Sequence, residues 1–167
     1  GLKDIIIVVG YRRDRFQYLV ECYPDISFTF IENPVYGSTN TAYSLWLVRE
    51  YIRDGFFLLN GDVIFHPGIM RNLFNLSKSD VIVVERKEVN EEEVKVKIVN
   101  DTVKKISKRV PLDEADAEFV GILKFSASSA SKYLDLLDHA ISEEKKHNMY
   151  FDDVIENLAQ DVPVYTM

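Results

Sequence analysis

The chain has 167 residues, of which 47% are hydrophobic and 28% charged, and its formal net charge is −7. This size and composition predict one globular domain with a layered core, and the negative charge excludes the broad basic surface that binds nucleic acid. No apolar run reaches the roughly 20 residues of a membrane helix, and no signal-peptide pattern opens the chain, so we expect a cytoplasmic protein that binds no membrane.

The first three predicted elements are a strand, a helix and a strand. The β-branched run Asp4 to Val9 is typical of a strand that is buried on both faces. Arg13 to Tyr23 follows with apolar residues at helical spacing, namely Phe16, Leu19, Val20 and Tyr23. Cys22, the single cysteine, lies on this helix and is expected to be a small buried hydrophobe. Ser27 to Glu32 is the second predicted strand.

The same alternation continues to residue 85. Ser38 or Thr39 can cap a second helix that runs to about Arg53. The next predicted elements are a short buried strand, a helix that begins at Pro67, and a further strand, at Phe56 to Leu59, Pro67 to about Leu76, and Asp80 to Glu85. Alternating strands and helices predict a doubly wound α/β sheet.

The second half of the chain adds antiparallel structure. Alternating apolar residues before Asn100-Asp101, and the return at Val103 to Ser107, predict a hairpin with one wet face. The charged stretch Arg86 to Glu93 is interpreted as a solvated loop. The remaining predicted elements are a core strand, a long helix, a shorter helix and a last strand, at Glu118 to Phe125, Ser128 to about His147, Phe151 to Ala159, and Val162 to Met167. The predicted sheet is therefore mixed and mostly parallel.

Two polar segments follow predicted strands, at the edge of the sheet where ligands collect in α/β proteins. In Asn60-Gly61-Asp62, Gly61 lets the backbone approach a ligand and Asp62 offers a hard carboxylate for Mg²⁺; the alternative is an ordinary turn formed by an Asp next to a Gly. The elbow Gly37 to Asn40 can hydrogen-bond a base or a phosphate, or it can be a plain helix cap. Together, the two strand ends favour a shared pocket.

Other common sites are not indicated. The three histidines, His66, His139 and His147, lack the spacing of metal ligands and are expected to be solvated. The chain also lacks a Gly-x-Ser-x-Gly elbow, a Walker loop and a Gly-x-Gly-x-x-Gly turn, so hydrolase, simple kinase and dehydrogenase motifs are excluded.

Six segments of the chain match a known family in order and spacing: DIIIVVGYRRD, NPVYGSTNTAYSLWL, FFLLNGDVIF, VKKISK, AEFVGILKF and MYFDDV. They resemble the nucleotidyltransferases that couple an NTP to a sugar 1-phosphate or a phospho-alcohol. The similarity is strongest to the branch that contains phosphocholine and inositol-phosphate cytidylyltransferases. It spans nearly the whole chain and implies a Rossmann-like three-layer α/β/α domain with a hairpin insertion.

The resemblance implies an activity that needs Mg²⁺ as well as two substrates. A phosphate oxygen of the acceptor attacks the α-phosphate of CTP or another NTP, and pyrophosphate leaves. This chemistry depends on positioning and charge neutralisation more than on a protein nucleophile.

The resemblance also assigns roles to individual residues. Asp62 matches the metal-binding aspartate and Lys108 is a candidate phosphate contact, which makes these two the catalytic candidates. The remaining assignments are the nucleotide-side residues Thr39, Asn40, Ser44 and Gly61, and the acceptor-side residues Glu118, Gly121, Tyr150 and Asp152.

The family pattern includes two segments that this sequence does not contain. Members begin one strand earlier, with a Gly-rich loop that carries an Arg and a Lys around the triphosphate, and they continue beyond the equivalent of Met167 to a second metal-binding acid. We therefore expect 1–167 to be one domain that lacks these segments, either as a piece of a full enzyme or as a natural short form. The alternative function is a non-catalytic module that senses nucleotides or sugar phosphates, or that serves in assembly.

The acceptor and the oligomeric state are not predicted from the sequence. Choline phosphate favours an aromatic box, for which Tyr150 and Phe151 are candidates, although an aromatic pair beside a helix is more often core. Inositol phosphate or a hexose 1-phosphate needs polar groups for its hydroxyls.

Overall fold

The structure, a computed structural model, describes residues 2–167 and divides them into two compact units. The first unit contains the residues up to Tyr51 together with Leu137–Phe151, and the second contains Ile52–Leu136 together with Asp152–Met167. The strands are β1 Asp4–Val9, β2 Ser27–Glu32, β3 Gly55–Leu59, β4 Val81–Glu85, β5 Lys95–Val99, β6 Thr102–Ser107, β7 Ala117–Ser126 and β8 Tyr165–Thr166. The α-helices are α1 Tyr18–Cys22, α2 Thr41–Leu47, α3 Gly68–Asn75, α4 Ala127–Asp138 and α5 Phe151–Asp161. The prediction of a single domain stays a prediction.

The first unit is built around a parallel pair of strands. β1 and β2 pair in register from Asp4 opposite Ser27 to Val9 opposite Glu32, which confirms both predicted strands. Val9 is buried, whereas the preceding side chains of β1 are exposed or half-buried. The strand is therefore less buried than its β-branched sequence predicts.

The first predicted helix is correct in position but wrong in its buried face. Arg13–Gln17 is a 3₁₀ helix, and the α-helix that follows it has only five residues. Because the two helix types turn at different rates, the apolar spacing does not produce one continuous stripe. Val20 and Tyr23 are 47% and 52% exposed, and Cys22 is exposed instead of buried.

The second unit contains a six-stranded sheet in the order β3-β7-β4-β8-β6-β5, with an additional β5–β7 pairing. β7 is antiparallel to both β3 and β4, while β8 is parallel to β4 and antiparallel to β6. Four of the six strands, β3, β4, β5 and β8, therefore run in the same direction. This confirms a mixed sheet of the α/β class. The neighbouring strands are mostly antiparallel, however, and not mostly parallel as predicted: within the described residues β4 and β8 form the one parallel pair of this sheet, and β7 separates β3 from β4.

The core of the second unit lies on this sheet. Its largest fully buried side chains are Leu73, Val81, Ile82, Val96, Ile106, Ile122, Leu123, Tyr133, Ile155 and Leu158. The ammonium group of Lys124 donates to the carbonyls of Leu73 and Leu76, at 3.0 and 3.1 Å, and so satisfies the end of α3. This bond ties the helix that begins after Pro67, as predicted, to β7.

The predicted hairpin is confirmed, and a buried lysine holds the loop that precedes it. Asn100 and Asp101 have φ of 51° and 60°, the left-handed conformation of a type I′ turn between β5 and β6. The preceding loop, Arg86 to Glu93, is largely exposed, as predicted for a solvated loop. Lys95, however, is only 2% exposed and donates to the carbonyls of Asn90, Glu91 and Glu93.

Two predicted elements near the end of the chain are too long. α4 ends at Asp138 and continues as a π-helical turn over His139–Glu143, and Lys145 then adopts a φ of 57°. Because a left-handed residue cannot continue a helix, the segment stops before His147. Of the predicted strand Val162 to Met167, only Tyr165–Thr166 pairs in the sheet. None of the helices within residues 2–167 has the length and apolarity that crossing a membrane requires.

Candidate active site

The helix cap at the start of α2 is Asn40, and not Ser38 or Thr39 as predicted. Its side-chain Oδ1 accepts from the backbone N–H of Thr41 at 2.8 Å, and its own backbone N–H donates to the carbonyl of His147 at 2.9 Å. Thr39 and Ser38 lie before this cap, and their hydroxyls donate to the carbonyl of Val35 and not toward the first turn of α2. No hydrogen bond within residues 2–167 uses the Asn40 Nδ2 group, which leaves a donor available at this cap.

The start of α2 is braced by the segment that follows the π-helical turn. The Thr41 hydroxyl accepts from the backbone N–H of Phe151 at 3.1 Å, and the N–H of Ala42 donates to the carbonyl of Met149 at 3.2 Å. The ring of Tyr43 lies 5.2 Å from that of His147. His147 is therefore half-buried, contrary to prediction, while His66 and His139 are exposed as expected.

Asn33 was not a predicted site residue, but it links Thr39 and Ser44, which were predicted. It is 3% exposed, and its Nδ2 group donates to the hydroxyls of Thr39 and Ser44 at 3.0 and 3.2 Å. Its Oδ1 accepts from the backbone N–H of Val35 at 3.0 Å. We call Asn33, Thr39, Asn40 and Ser44 the polar corner. The one sequence signal for Asn33 was its place before Pro34, directly after β2, which indicated only a break in the chain.

The turn Asn60-Gly61-Asp62 follows β3, as predicted, and is tied to β7. The backbone N–H of Asn60 donates to the carbonyl of Gly121 at 2.9 Å, and the N–H of Val63 donates to the carbonyl of Asn60 at 3.4 Å. Gly121 has a φ of +77°, and a Cβ placed there would lie 2.4 Å from the Nδ2 of Asn60. The absence of a side chain at Gly121 therefore makes room for Asn60.

The carboxylate of Asp62 is exposed on this turn. None of the hydrogen bonds or ion pairs within residues 2–167 uses it, and no cluster of three or more His, Cys, Asp or Glu side chains forms a metal site in that part of the chain. A single free carboxylate suits Mg²⁺, which binds proteins through one or two carboxylates and completes its shell with water and phosphate oxygens. The donor set therefore fits this metal.

A depression of about 370 Å³ lies next to Asp62 in the second unit. Its apolar lining is accompanied by two titratable side chains, His66 and Glu85. The lining residues are Val63, Ile64, Phe65, His66, Ile69, Val83, Val84, Glu85 and Val120. Several of its lining residues, Val63, Phe65, Ile69 and Val120, pack against the buried core around Leu73 and Ile122.

Glu118, a predicted acceptor-side residue, is part of an ion-pair cluster. Its carboxylate accepts from the ammonium of Lys87 at 2.7 Å, and the same ammonium contacts Glu93 at 2.8 Å and Glu85 at 3.6 Å. Hydrogen bonds to Glu118 and Glu93 raise the pKa of Lys87, and the bond from Lys87 lowers the pKa of Glu93. One cation thus faces three carboxylates, which gives this part of the second unit a net negative charge.

Lys108 and Asp152 lie in a second charged cluster, where the end of β6 meets the start of α5. Lys108 is half-exposed and its ammonium is 3.9 Å from Glu92. Asp152 is only 4% exposed, and burial raises its pKa to about 6. The neighbouring carboxylate of Asp153 also raises it, while Lys108 and Arg109 lower it. Arg109 in turn forms an ion pair with Asp153 at 2.7 Å, which ties the hairpin to α5.

We expect this buried carboxyl group to make stability depend on pH. Because the folded protein holds its proton more tightly than the unfolded chain, Asp152 stabilises the fold below pH 4, and this contribution is lost as pH rises through 6. A pKa that moves from 3.8 to about 6 corresponds to about 3 kcal/mol. Asp152→Asn should remove this dependence, as measured by urea unfolding at pH 4.5 and 7.5. If the difference in unfolding free energy between these pH values is the same in both proteins, Asp152 is not its source.

The structure thus brings some predicted site residues together and leaves others apart. Within the first unit, Thr39 and Ser44 are joined through Asn33, while Tyr150 is 40% exposed. Within the second unit, Gly61 and Asp62 share one turn that contacts Gly121, whereas Glu118 belongs to the Lys87 cluster and Asp152 to the Lys108 cluster. Which ligand each of these residues binds stays a prediction.

Comparison with known proteins shows similarity over almost the whole chain. A choline-phosphate cytidylyltransferase of Streptococcus pneumoniae is 26% identical over 165 residues, which cover 99% of this chain and 68% of that protein. A 2-aminoethylphosphonate cytidylyltransferase of Lancefieldella rimae is 26% identical over 159 residues, or 94% of this chain and 62% of that one. No family model matches the chain.

A solved structure agrees with these relatives. The inositol-1-phosphate CTP transferase from T. maritima superposes with a TM-score of 0.78 at 19% identity, and covers all of this chain and 66% of its own. The chain is similar in sequence to cytidylyltransferases, which fits the sugar-phosphate and phospho-alcohol nucleotidyltransferase family. It spans about two thirds of the length of the relatives it matches. The resemblance drawn from its six motifs is therefore confirmed, as is the α/β fold.

Proposed function

We propose that this nucleotidyltransferase transfers CMP from CTP to the phosphate of a small phosphorylated alcohol or sugar, and releases pyrophosphate. The observation that carries the proposal is that relatives with different acceptors share the nucleotide. One acts on choline phosphate and another on 2-aminoethylphosphonate, yet both are cytidylyltransferases that match more than nine tenths of this chain. The donor nucleotide is thus the common feature and the acceptor the variable one.

In this reaction an oxygen of the acceptor phosphate forms a new bond to the α-phosphorus of CTP. The bond between that phosphorus and the oxygen bridging to the β-phosphate breaks, and pyrophosphate carries the electron pair away. No protein nucleophile is required, so the protein must hold the two phosphates in line and neutralise their charge. The side chains of Asp62 and Lys108 are assigned to these tasks.

The hydrogen-bonding groups of the polar corner support a cytosine base. The Nδ2 group of Asn40 and the hydroxyl of Ser44 each retain a donor that no group within residues 2–167 accepts. Cytosine carries two adjacent acceptors, O2 and N3, on its pairing edge, whereas N3 of uracil carries a hydrogen and cannot accept. Because a mismatched polar edge leaves a buried group unpaired, two donors favour cytosine over uracil.

Asp62 is the proposed ligand of Mg²⁺, since its carboxylate is exposed, unpaired within residues 2–167, and carried by a turn that one backbone bond from Asn60 ties to Gly121. When bound, the metal supplies positive charge to the phosphate oxygens. Lys108 is half-exposed, with its ammonium 3.9 Å from Glu92, and is proposed to contact the acceptor phosphate. Glu118 and Asp152 are proposed to border the acceptor, and the cytoplasmic location stays a prediction.

The proposal is tested by a panel assay on the product of the full reading frame that encodes this chain. Each of CTP, UTP, ATP and dTTP is mixed with Mg²⁺ and with phosphocholine, inositol 1-phosphate, 2-aminoethylphosphonate or glucose 1-phosphate, and pyrophosphate release is measured. We expect release with CTP and with one acceptor well above the others. Nucleotide binding without release for any pair would instead support a sensing or assembly module.

A second arm uses residues 1–167 alone. We expect this chain to release pyrophosphate slowly or not at all, because its family places further charge-neutralising groups outside the segments matched here. Binding of CTP to it can be followed as a rise in melting temperature, since a ligand at 100 times its Kd stabilises a fold by about 2.7 kcal/mol. Brisk turnover by this chain would show that the matched segments suffice.

A further inference from the structure

We propose that Asn33 is a positioning residue that sets the hydrogen-bonding polarity of the polar corner, and thereby its selectivity for cytosine over uracil. The inference rests on the proposed function, since it concerns how the base of the donor nucleotide is distinguished. Asn33 itself is 3% exposed, so it acts through Ser44 rather than by contact with the base.

The orientation of the Asn33 amide is determined by its surroundings. The backbone N–H of Val35 points at one end of the amide from 3.0 Å, and only the carbonyl oxygen can accept from it. The Nδ2 end therefore faces the hydroxyls of Thr39 and Ser44, and its two hydrogens serve one hydroxyl each. All three bonds lie within the first unit, and no buried polar side-chain atom in residues 2–167 lacks a partner.

Each hydroxyl that accepts from Asn33 must direct its own hydrogen elsewhere. Thr39 donates its hydrogen to the carbonyl of Val35 at 3.0 Å, so that group is fully engaged. The Ser44 hydroxyl has no acceptor within residues 2–167, and Ser44 is half-buried and not fully enclosed. Asn33 thus leaves Ser44 with its hydrogen directed to a ligand, as a donor.

This polarity has a direct consequence for the base. A donor at Ser44 matches the unprotonated N3 of cytosine. The N3–H of uracil could bond only to the remaining lone pair of the hydroxyl, which would leave the Ser44 hydrogen without this acceptor on the base. If Asn33 were an acceptor instead, Ser44 would donate inward and present a lone pair, which matches uracil. The choice between CTP and UTP therefore depends on whether a buried residue donates or accepts.

Asn33→Asp tests this, because the carboxylate has nearly the same shape and still accepts from Val35. We expect the KM for CTP to rise about tenfold with little change in kcat, and the ratio of kcat/KM for CTP over UTP to fall about 10- to 100-fold. Burial raises the pKa of a carboxyl group. As pH falls from 8 to 5.5, protonation of the new carboxyl restores a donor, so CTP affinity, measured by calorimetry without acceptor, should recover in the variant alone.

Control variants distinguish a change in the hydrogen-bond polarity of the polar corner from damage to the fold. Asn75→Asp makes the same charge change at an exposed position of α3 and should leave the CTP to UTP ratio unchanged. Ser44→Ala should lower the ratio by itself, and should lower it no further in Asn33→Asp. If Asn33→Asp does not fold, the Ser44→Ala variant tests the inference by itself.

Two different failures can be distinguished. If the unmodified protein binds no nucleotide, the proposed function is wrong. If it prefers CTP but Asn33→Asp, with an unchanged melting temperature, keeps the full preference at pH 8, the inference is overturned. An unchanged ratio in Ser44→Ala overturns it as well.

Discussion

Asp62→Asn should reduce kcat/KM for pyrophosphate release by about 10²- to 10³-fold when it is made in the product of the full reading frame that encodes this chain. The amide keeps the size of the side chain but removes the negative charge that we assign to Mg²⁺. Since the Asp62 side chain is exposed and bonded to no group within residues 2–167, the substitution should not change the melting temperature. The apparent affinity for Mg²⁺, measured by titrating the metal at saturating CTP, should fall in parallel.

Asp54→Asn is the matched control for this substitution. Asp54 is exposed immediately before β3, whereas Asp62 lies beyond the other end of that strand, so the two variants make the same change of charge at opposite ends. We expect the control to retain full activity and the same dependence on Mg²⁺. Equal losses in both variants would mean that net charge, and not a metal ligand, explains the effect.

Gly121→Ala should destabilise the second unit by roughly 2–4 kcal/mol. The φ of +77° is unfavourable for any residue with a Cβ, and the added methyl group would lie 2.4 Å from the side chain of Asn60. Because Asn60 begins the turn that carries Asp62, activity should fall even under conditions where the variant remains folded. The free energy is measured by urea unfolding and the activity by pyrophosphate release at 20 °C.

Gly61→Ala provides the comparison for stability. A Cβ at this position meets nothing within 4 Å, and its φ is outside the left-handed region, so the fold should tolerate it within about 1 kcal/mol. A similar loss of stability at both glycines would show that the contact between Gly121 and Asn60 is not the cause. Retained activity in a folded Gly121→Ala protein would show that the turn does not need this support.

The two expected effects have a common structural origin. β7 lies between β3 and β4, and its register against β4 shifts between Ile82 and Val84, across from Gly121. On its other side β7 extends its antiparallel ladder with β3 by one residue, because the carbonyl of Gly121 accepts from the backbone N–H of Asn60. A strand far along the chain thus supports the turn in which the proposed metal ligand lies.

The sequence was informative where local chemistry decides the structure. β-Branched runs identified β1, β2 and β4, and two residues tolerant of positive φ identified the turn at Asn100 and Asp101. The sequence was misleading where regularly spaced apolar residues predicted one long helix. In 13–23 a 3₁₀ turn precedes α1, and after α4 a π-helical turn leads to Lys145, so neither pattern continues to the predicted end.

Part of the candidate site was visible for the same reason. Asp62 after a hydrophobic strand, and hydroxyl and amide residues before a helix, are local patterns that one stretch of sequence contains. Asn33 was not visible, because its importance depends on partners six and eleven residues away that are brought to it by the chain path around Val35. The raised pKa of Asp152 depends likewise on burial beside residues of the hairpin.

The sequence by itself determined the class of fold, the order of its elements and the family that the chain resembles, because strand and helix periodicity and six ordered motifs are properties of short segments. Only the tertiary structure decided that β7 separates β3 from β4, that Asn40 caps α2, and that Asn33 donates to Thr39 and Ser44. Strand order and hydrogen-bond polarity depend on which distant groups meet. That outcome is set by the packing of the whole unit and not by the spacing of residues along the chain.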